Sequence, residues 1–415
     1  MFGLENNEQP GWDKTEFPVV VDQSRRFLKD RLGRPFFYHA DTGWKLFWEF
    51  TLEEAVRYLE DRRQKGFNVI QVQLLPHRDY QCNRYGEGPF LTRGDLTQLN
   101  PAYFDHVERI ARVAEEKGVG LMVGPCWASK WEQDWYKHLN EGNAEQFGRL
   151  IGERFRDCPS VIGWIHGGDD DAEELHDAIR LCAQTLKAIS PEKINTFHGN
   201  QRCSDEFFHG EAWYDLNMAY SYSYPVIVEQ LLRARNRQPV LPVLMGETHY
   251  EGNDGISAAL LRKFAHASVL LGGAGHTYGH KDIWIATWFW PFALDAPVVA
   301  HMRLLRGFFS QLDWSTLQPD NDRSFLLEGG GEGEEYAPAA VSTEGGFGVV
   351  YLPTPRTITV NLKLLGSEPA AQWYDPVSGK LTMPEKLLGD SPQITAPGVN
   401  AGGDGDWLLL LANGA

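Results

Sequence analysis

At 415 residues, 42% hydrophobic and 23% charged, the chain can bury one large core and leave a stretch for a smaller second unit. A formal net charge of −17 argues against a nucleic-acid surface, which needs clustered cations, and no apolar run reaches membrane-spanning length. Cys82, Cys126, Cys158, Cys182 and Cys203 form neither a CxxC pair nor a zinc spacing. With a polar stretch at 1–23 that lacks an apolar signal core, these scattered thiols predict a cytoplasmic protein.

In chain order, residues 1–16 read as a polar lead-in. Residues 17–21 and, more strongly, 34–40 read as strands, the second running into Asp41, Thr42, Gly43 and Trp44. Thr51-Leu-Glu-Glu54 has the pattern of a capping box, in which each side chain satisfies a backbone N–H of the other residue. The helix it opens has its apolar face at positions 52, 55, 56 and 59. A strand follows at 67–75, a helix at 101–117 between Asn100 and Gly118, and a strand at 119–123. The alternation continues with a helix at 144–156, a strand at 161–165, a helix at 173–189, and strands at 193–197 and 216–219. A helix at 226–235, a strand at 241–245, a helix at 255–266 and a strand at 268–271 complete it.

Eight strands alternating with helices predict a (β/α)8 TIM barrel. An open doubly wound sheet is the weaker alternative, because no GxGxxG turn follows the first strand. Later come short alternating runs at 347–352, 357–362, 371–374 and 407–411, with turns such as Asp375-Pro-Val-Ser-Gly379 between them. They predict a small antiparallel β-sandwich. The expected organisation is a lead-in at 1–16, a barrel at 17–316 and a β-sandwich domain at 317–415.

Strand ends on one rim of a barrel converge on a single bowl. Two of the predicted strands end in small residues and then a carboxylate: Trp164-Ile-His-Gly-Gly-Asp169 and Leu244-Met-Gly-Glu247. Two carboxyl groups across a pocket are the minimum equipment for cutting a glycosidic bond. One protonates the leaving oxygen, the other attacks the sugar or activates water, and their separation decides which. Structural roles compete with this reading. Asp169 opens the run Asp169-Asp170-Asp171, which suits a helix cap, and Glu247 has His249 as a salt-bridge candidate.

Asp41 is a third acid, a candidate for holding sugar hydroxyls. Trp44, Trp127, His166, His198, Tyr220, His276 and Tyr278, with His280 and Trp284, stand at predicted strand ends or just beyond. Rings with polar handles suit a neutral sugar, although each residue also fits ordinary packing. His276 and His280 are four apart, but Gly275 and Gly279 argue against a helical zinc pair. The expectation is a small-molecule carbohydrate substrate, with no cofactor, metal, nucleic-acid or membrane partner. A barrel that binds carbohydrate without cutting it and a metal-dependent hydrolase are the alternatives.

Several motifs resemble the apiosidase-like glycoside hydrolases: Y-H-A-D-T-G-W at 38–44, K-G-F-N-V-I-Q at 65–71, W-I-H-G-G-D at 164–169 and T-F-H at 196–198. M-G-E-T-H-Y-E-G at 245–252 and G-A-G-H-T-Y-G at 273–279 extend the match in order. Q-W-Y-D-P-V-S-G at 372–379 and G-D-W-L-L-L-L at 405–411 resemble the small β domain attached to such enzymes and named for collagen binding. The resemblance implies an exo-acting, retaining glycosidase on a β/α barrel. It implies Asp169 as general acid/base and Glu247 as nucleophile. The family activity concerns apiose, a branched furanose of plant pectin side chains, so other furanosides and plant-type oligosaccharides come within range.

Overall fold

The computed structural model describes residues 12–366 and 369–413, so the first eleven residues of the expected lead-in lie outside it. Eight parallel strands form the main sheet: β1 (Tyr38–Thr42), β2 (Val69–Gln73), β3 (Gly120–Gly124), β4 (Val161–Gly167), β5 (Ile194–His198), β6 (Asn217–Tyr220), β7 (Val243–Glu247) and β8 (Gly275–Tyr278). The strand order is β5-β4-β3-β2-β1-β8-β7-β6. The first and eighth strands therefore pair, with Gly275 opposite Tyr38 and Tyr278 opposite Asp41. At the remaining seam Asp215 N donates to Asn195 O at 2.9 Å without a full ladder. This is a nearly closed TIM barrel.

Seven longer helices accompany it: α1 (Leu52–Gln64), α2 (Pro101–Lys117), α3 (Glu141–Phe155), α4 (His176–Ile189), α5 (Tyr224–Asn236), α6 (Ala258–Leu270) and α7 (Pro297–Ser310). The capping box at α1 forms as expected: Glu54 N donates to Thr51 Oγ1 and Thr51 N to Glu54 Oε2. Inside the barrel, Tyr38, Ala40, Val69, Met122, Ile162, Ile165, Ile194, Met218 and Leu244 make one apolar column. Val19, Leu28 and Phe36 pack against the same column. They come from a short antiparallel ladder of Val20–Val21, Leu28–Lys29 and Pro35–Phe36 and its border. Burying this apolar surface is the main stabilising term for the barrel.

One strand expectation is corrected. The run at 268–271 continues α6, and the eighth strand comes from the glycine-rich segment that follows it. An apolar run that short does not distinguish a buried helix end from a strand. Gly275 explains why a strand forms among glycines: a Cβ there would lie 1.9 Å from the Tyr38 carbonyl oxygen, and its φ is +149°. Only glycine lets β8 approach β1 this closely.

The C-terminal part is antiparallel. Trp407–Asn413 runs between Phe347–Leu352 and Pro369–Tyr374 in a six-stranded sheet. A second sheet joins Leu326–Glu328, Thr357–Val360 and Gln393–Thr395. Val350, Trp373, Leu409, Leu411, Ile358 and Ile394 fill the space they share. Alternate residues of the larger sheet, Val349, Tyr351, Leu408 and Leu410, pack with Leu261 and Ala265 of α6 and Leu305, Phe308 and Phe309 of α7. Period-two alternation thus serves two cores at once.

Candidate active site

The C-terminal rim of the barrel surrounds a cavity of about 500 Å³. Asp169, Glu247, Trp44, Trp127, Tyr220 and Trp284 line it, all of them singled out from the sequence. Glu247 arrives there by an irregularity. Leu244 faces the barrel interior, while Val243 and Met245 face the helix layer, so strict alternation would send Glu247 outward. The β6–β7 register shifts between Met245 and Glu247. Gly246 sits at that shift, where a Cβ would lie 2.1 Å from the Met218 side chain. A bulge of this kind re-aims the next side chain. Asp169 follows Gly167, at φ +81°, and Gly168, where a Cβ would lie 2.3 Å from the Ala128 carbonyl oxygen.

Glu247 is held on both oxygens. Tyr250 Oη donates to Oε1 at 2.8 Å, and Trp44 Nε1 donates to that Tyr250 oxygen at 2.9 Å. His198 Nε2 lies 2.9 Å from Oε2, while His198 Nδ1 lies 2.9 Å from the Gly168 carbonyl oxygen. A carbonyl only accepts, so Nδ1 carries a proton and Nε2 faces the Glu247 carboxyl group. Burial opposes the charge on His198, but the hydrogen bond and charge of Glu247, with Asp169 and the Gly168 carbonyl, raise its pKa on balance.

Burial, and then the Glu247 charge, push the pKa of Asp169 up to about 6, against the pull of His198 and of the Trp127 hydrogen bond. Trp127 Nε1 donates to Asp169 Oδ2 at 2.9 Å. Asp169, His198 and Glu247 bring one polar atom each to within 4.8 Å of one another. The raised pKa suits Asp169 to donate a proton near pH 6, the role of an acid in a carboxyl pair. Trp44, Trp127, His198 and Tyr220 touch in sequence, with ring centroids 4.8–4.9 Å apart.

Four expected site residues stand elsewhere. Asp41 faces the helix layer, fully buried, where Tyr58 Oη donates to it at 2.8 Å and Arg62 lies at 3.3 Å. His276 contacts His39 at 3.0 Å, Tyr278 donates to Glu251, and His166 contacts Asn195 at 3.0 Å. None of the four lines the cavity. On β1, Ala40 points inward, so its neighbours His39 and Asp41 point outward. His280 instead caps a short helix through Asp282 N. Of the competing structural roles, Asp170 accepts from the Lys130 backbone and Asp171 pairs with Arg202, leaving Asp169 to the cavity. His249 bonds the Tyr222 carbonyl rather than Glu247.

Gln73, His77, Ser129, Trp131, Glu132, Gln133, Asn200, Tyr222, Tyr250 and Asn253 also line the cavity, unforeseen as site residues. Most of them lie on loops, where residue type gives little sign of direction. Gln73 was legible as the last residue of β2.

The model of the apiosidase-like catalytic domain matches residues 22–316. The chain belongs to the apiosidase-like family. A second model, "Putative collagen-binding domain of a collagenase", matches residues 320–412. Among solved structures, a protein titled "Glycoside hydrolase" is 26% identical with a TM-score of 0.86, over 96% of this chain and 99% of that one. A glycoside hydrolase family 5 protein from Bacteroides vulgatus is 23% identical with a TM-score of 0.85, over 95% and 93%. No curated protein matches. This apiosidase-like chain is a glycoside hydrolase, and its cavity carries the two carboxyl groups such chemistry requires.

Proposed function

We propose that this apiosidase-like enzyme is a retaining, exo-acting glycosidase in which Asp169 is the general acid/base and Glu247 the nucleophile. The observation that carries the reading is the pair itself: carboxyl oxygens within 4.8 Å of one another, with burial and the Glu247 charge raising the Asp169 pKa to about 6. Retaining enzymes place their carboxyl groups about 5 Å apart, whereas inverting enzymes leave about 6.5–9.5 Å for a water. In the first step Glu247 attacks the anomeric carbon while Asp169 gives its proton to the leaving oxygen. In the second, Asp169, now ionised, takes a proton from water as that water attacks the same carbon and releases Glu247. Tyr250 and His198 fix the nucleophile, and each hydrogen bond must survive the loss of negative charge as the covalent bond forms. Exo action and a preference for apiose or a related furanoside rest on the family likeness.

A panel of aryl glycosides, furanosides included, tests this. Wild type releases the aryl group from at least one, and Glu247→Gln does not; equal release by the variant removes Glu247 from the chemistry. A second reading has one observation in its favour, since Asp169, His198 and Glu247 resemble a set of metal ligands. Against it, His198 Nε2 lies on Glu247 Oε2 at 2.9 Å, and the carboxyl pair by itself supplies the acid and the nucleophile that glycoside cleavage needs. Turnover unchanged by a chelator is the outcome expected here.

A further inference from the structure

Resting on the reading of the cavity as a glycosidase site, we infer that the ring cluster Trp288, Phe289 and Phe292, beside the cavity mouth, is a docking platform for a carbohydrate chain longer than the cavity holds. Trp288 is 76% exposed and Phe292 72%. Their rings form one surface: the Trp288 and Phe289 centroids lie 3.6 Å apart, and those of Phe289 and Phe292 6.3 Å. The backbone holds them out. Thr287 N donates to the Asp282 carbonyl oxygen at 3.0 Å. Thr287 Oγ1 donates to Asp282 Oδ1 at 2.7 Å and accepts from Phe289 N at 3.2 Å. Behind the cluster, Trp290 is buried against Phe50, with centroids 4.8 Å apart. A fixed, contiguous set of apolar rings in water marks an interaction surface.

Position and residue type identify the occupant. Trp284 lines the cavity, and Trp288 follows four residues later, a reach of at most about 14 Å. Among the described residues, every exposed aromatic side chain lies on a connection from a strand end to the next helix, on the face that carries the cavity. These are Tyr80 and Tyr85 between β2 and α2, Trp131 between β3 and α3, Tyr222 between β6 and α5, and the cluster itself between β8 and α7. The β-sandwich exposes aliphatic side chains instead, among them Met383, Leu388 and Val399. Flat aromatic faces suit sugar rings, which present apolar C–H faces and polar edges. The cavity, at about 500 Å³, takes a ligand of a few rings, so a longer chain leaves it across this rim. A second copy fits the cluster less well, because a two-fold contact there would set two cavity mouths against each other.

Affinity electrophoresis of the full chain carrying Glu247→Gln, which prevents turnover, tests the platform with soluble pectin, arabinoxylan or galactan in the gel. The expected result is retardation by at least one of them. Adding Trp288→Ala together with Phe292→Ala should weaken that binding about tenfold, whereas Trp288→Tyr alone should keep most of it. In the chain that retains Glu247, the two alanine substitutions should leave kcat/KM for an active aryl glycoside near wild type. No retardation of the parent, equal retardation of the variant, or a matching loss on the aryl glycoside would overturn the inference. A concentration-dependent dimer in sedimentation that the substitutions abolish would also overturn it. Because retardation is read without turnover, its failure is distinct from failure of the glycosidase reading, which release from the aryl glycosides reports.

Discussion

Asp41 and Glu247 are both buried carboxylates at the ends of barrel strands, and they face opposite ways. Asp41 follows the alternation of β1 out to Arg62 and Tyr58 of the surrounding helix. Glu247 is turned by the shift at Gly246 into the bowl, where its partners are His198 and Tyr250. The outward carboxylate is a structural ion pair; the inward one faces space for a substrate. Strand-end position alone therefore does not identify a catalytic acid. The face it reaches does.

The contrast breaks first at Glu247. Replacing it with Gln should lower turnover by several orders of magnitude while the circular dichroism spectrum and melting temperature stay near wild type. Asp169→Asn should cost about 10²–10⁴ in kcat/KM for poor leaving groups. With wild type, kcat/KM should fall as pH rises through about 6, as Asp169 loses its proton, and this limb should vanish in the variant. Asp41→Asn should do the reverse. Turnover per folded molecule should be preserved, while denaturant unfolding shows a loss of about 3 kcal/mol from leaving buried Arg62 short of a partner.

The smallest effect concerns stability and pH. The folded-state pKa of Asp169 lies above its ordinary value, so its ionisation penalises the native state, and stability falls as pH rises from 3.8 to about 6 and levels off above that. Asp169→Asn should therefore melt a few degrees higher than wild type at pH 8, with the gap closing only as pH falls towards the ordinary value of 3.8, a difference scanning calorimetry resolves.

Much of this was legible in the residues. Helix–strand alternation and the capping box at Thr51 pointed to the barrel, and the Gly-Gly-Asp169 and Gly-Glu247 endings pointed to the carboxyl pair. What escaped depended on contacts between distant segments. The eighth strand hid among glycines because its reason, the approach of Gly275 to Tyr38, belongs to another strand. Asp41, His166, His276 and Tyr278 were expected in the cavity because strand ends were read without their faces. For Asp41 the alternation around Ala40 already carried the answer. For Glu247 the same alternation would have misled, since the bulge at Gly246 exists only against β6. Tyr250 and Gln133 lay on loops, where neither periodicity nor spacing gave a direction.

The most direct test of the central claim is the stereochemistry of transfer. Cleavage of an active aryl glycoside in aqueous methanol, followed by proton NMR, shows the configuration of the methyl glycoside formed. The Asp169–Glu247 account predicts the anomer of the starting glycoside, because two displacements at one carbon restore its configuration. The opposite anomer would mean a single displacement by an activated solvent molecule and would contradict Glu247 as nucleophile.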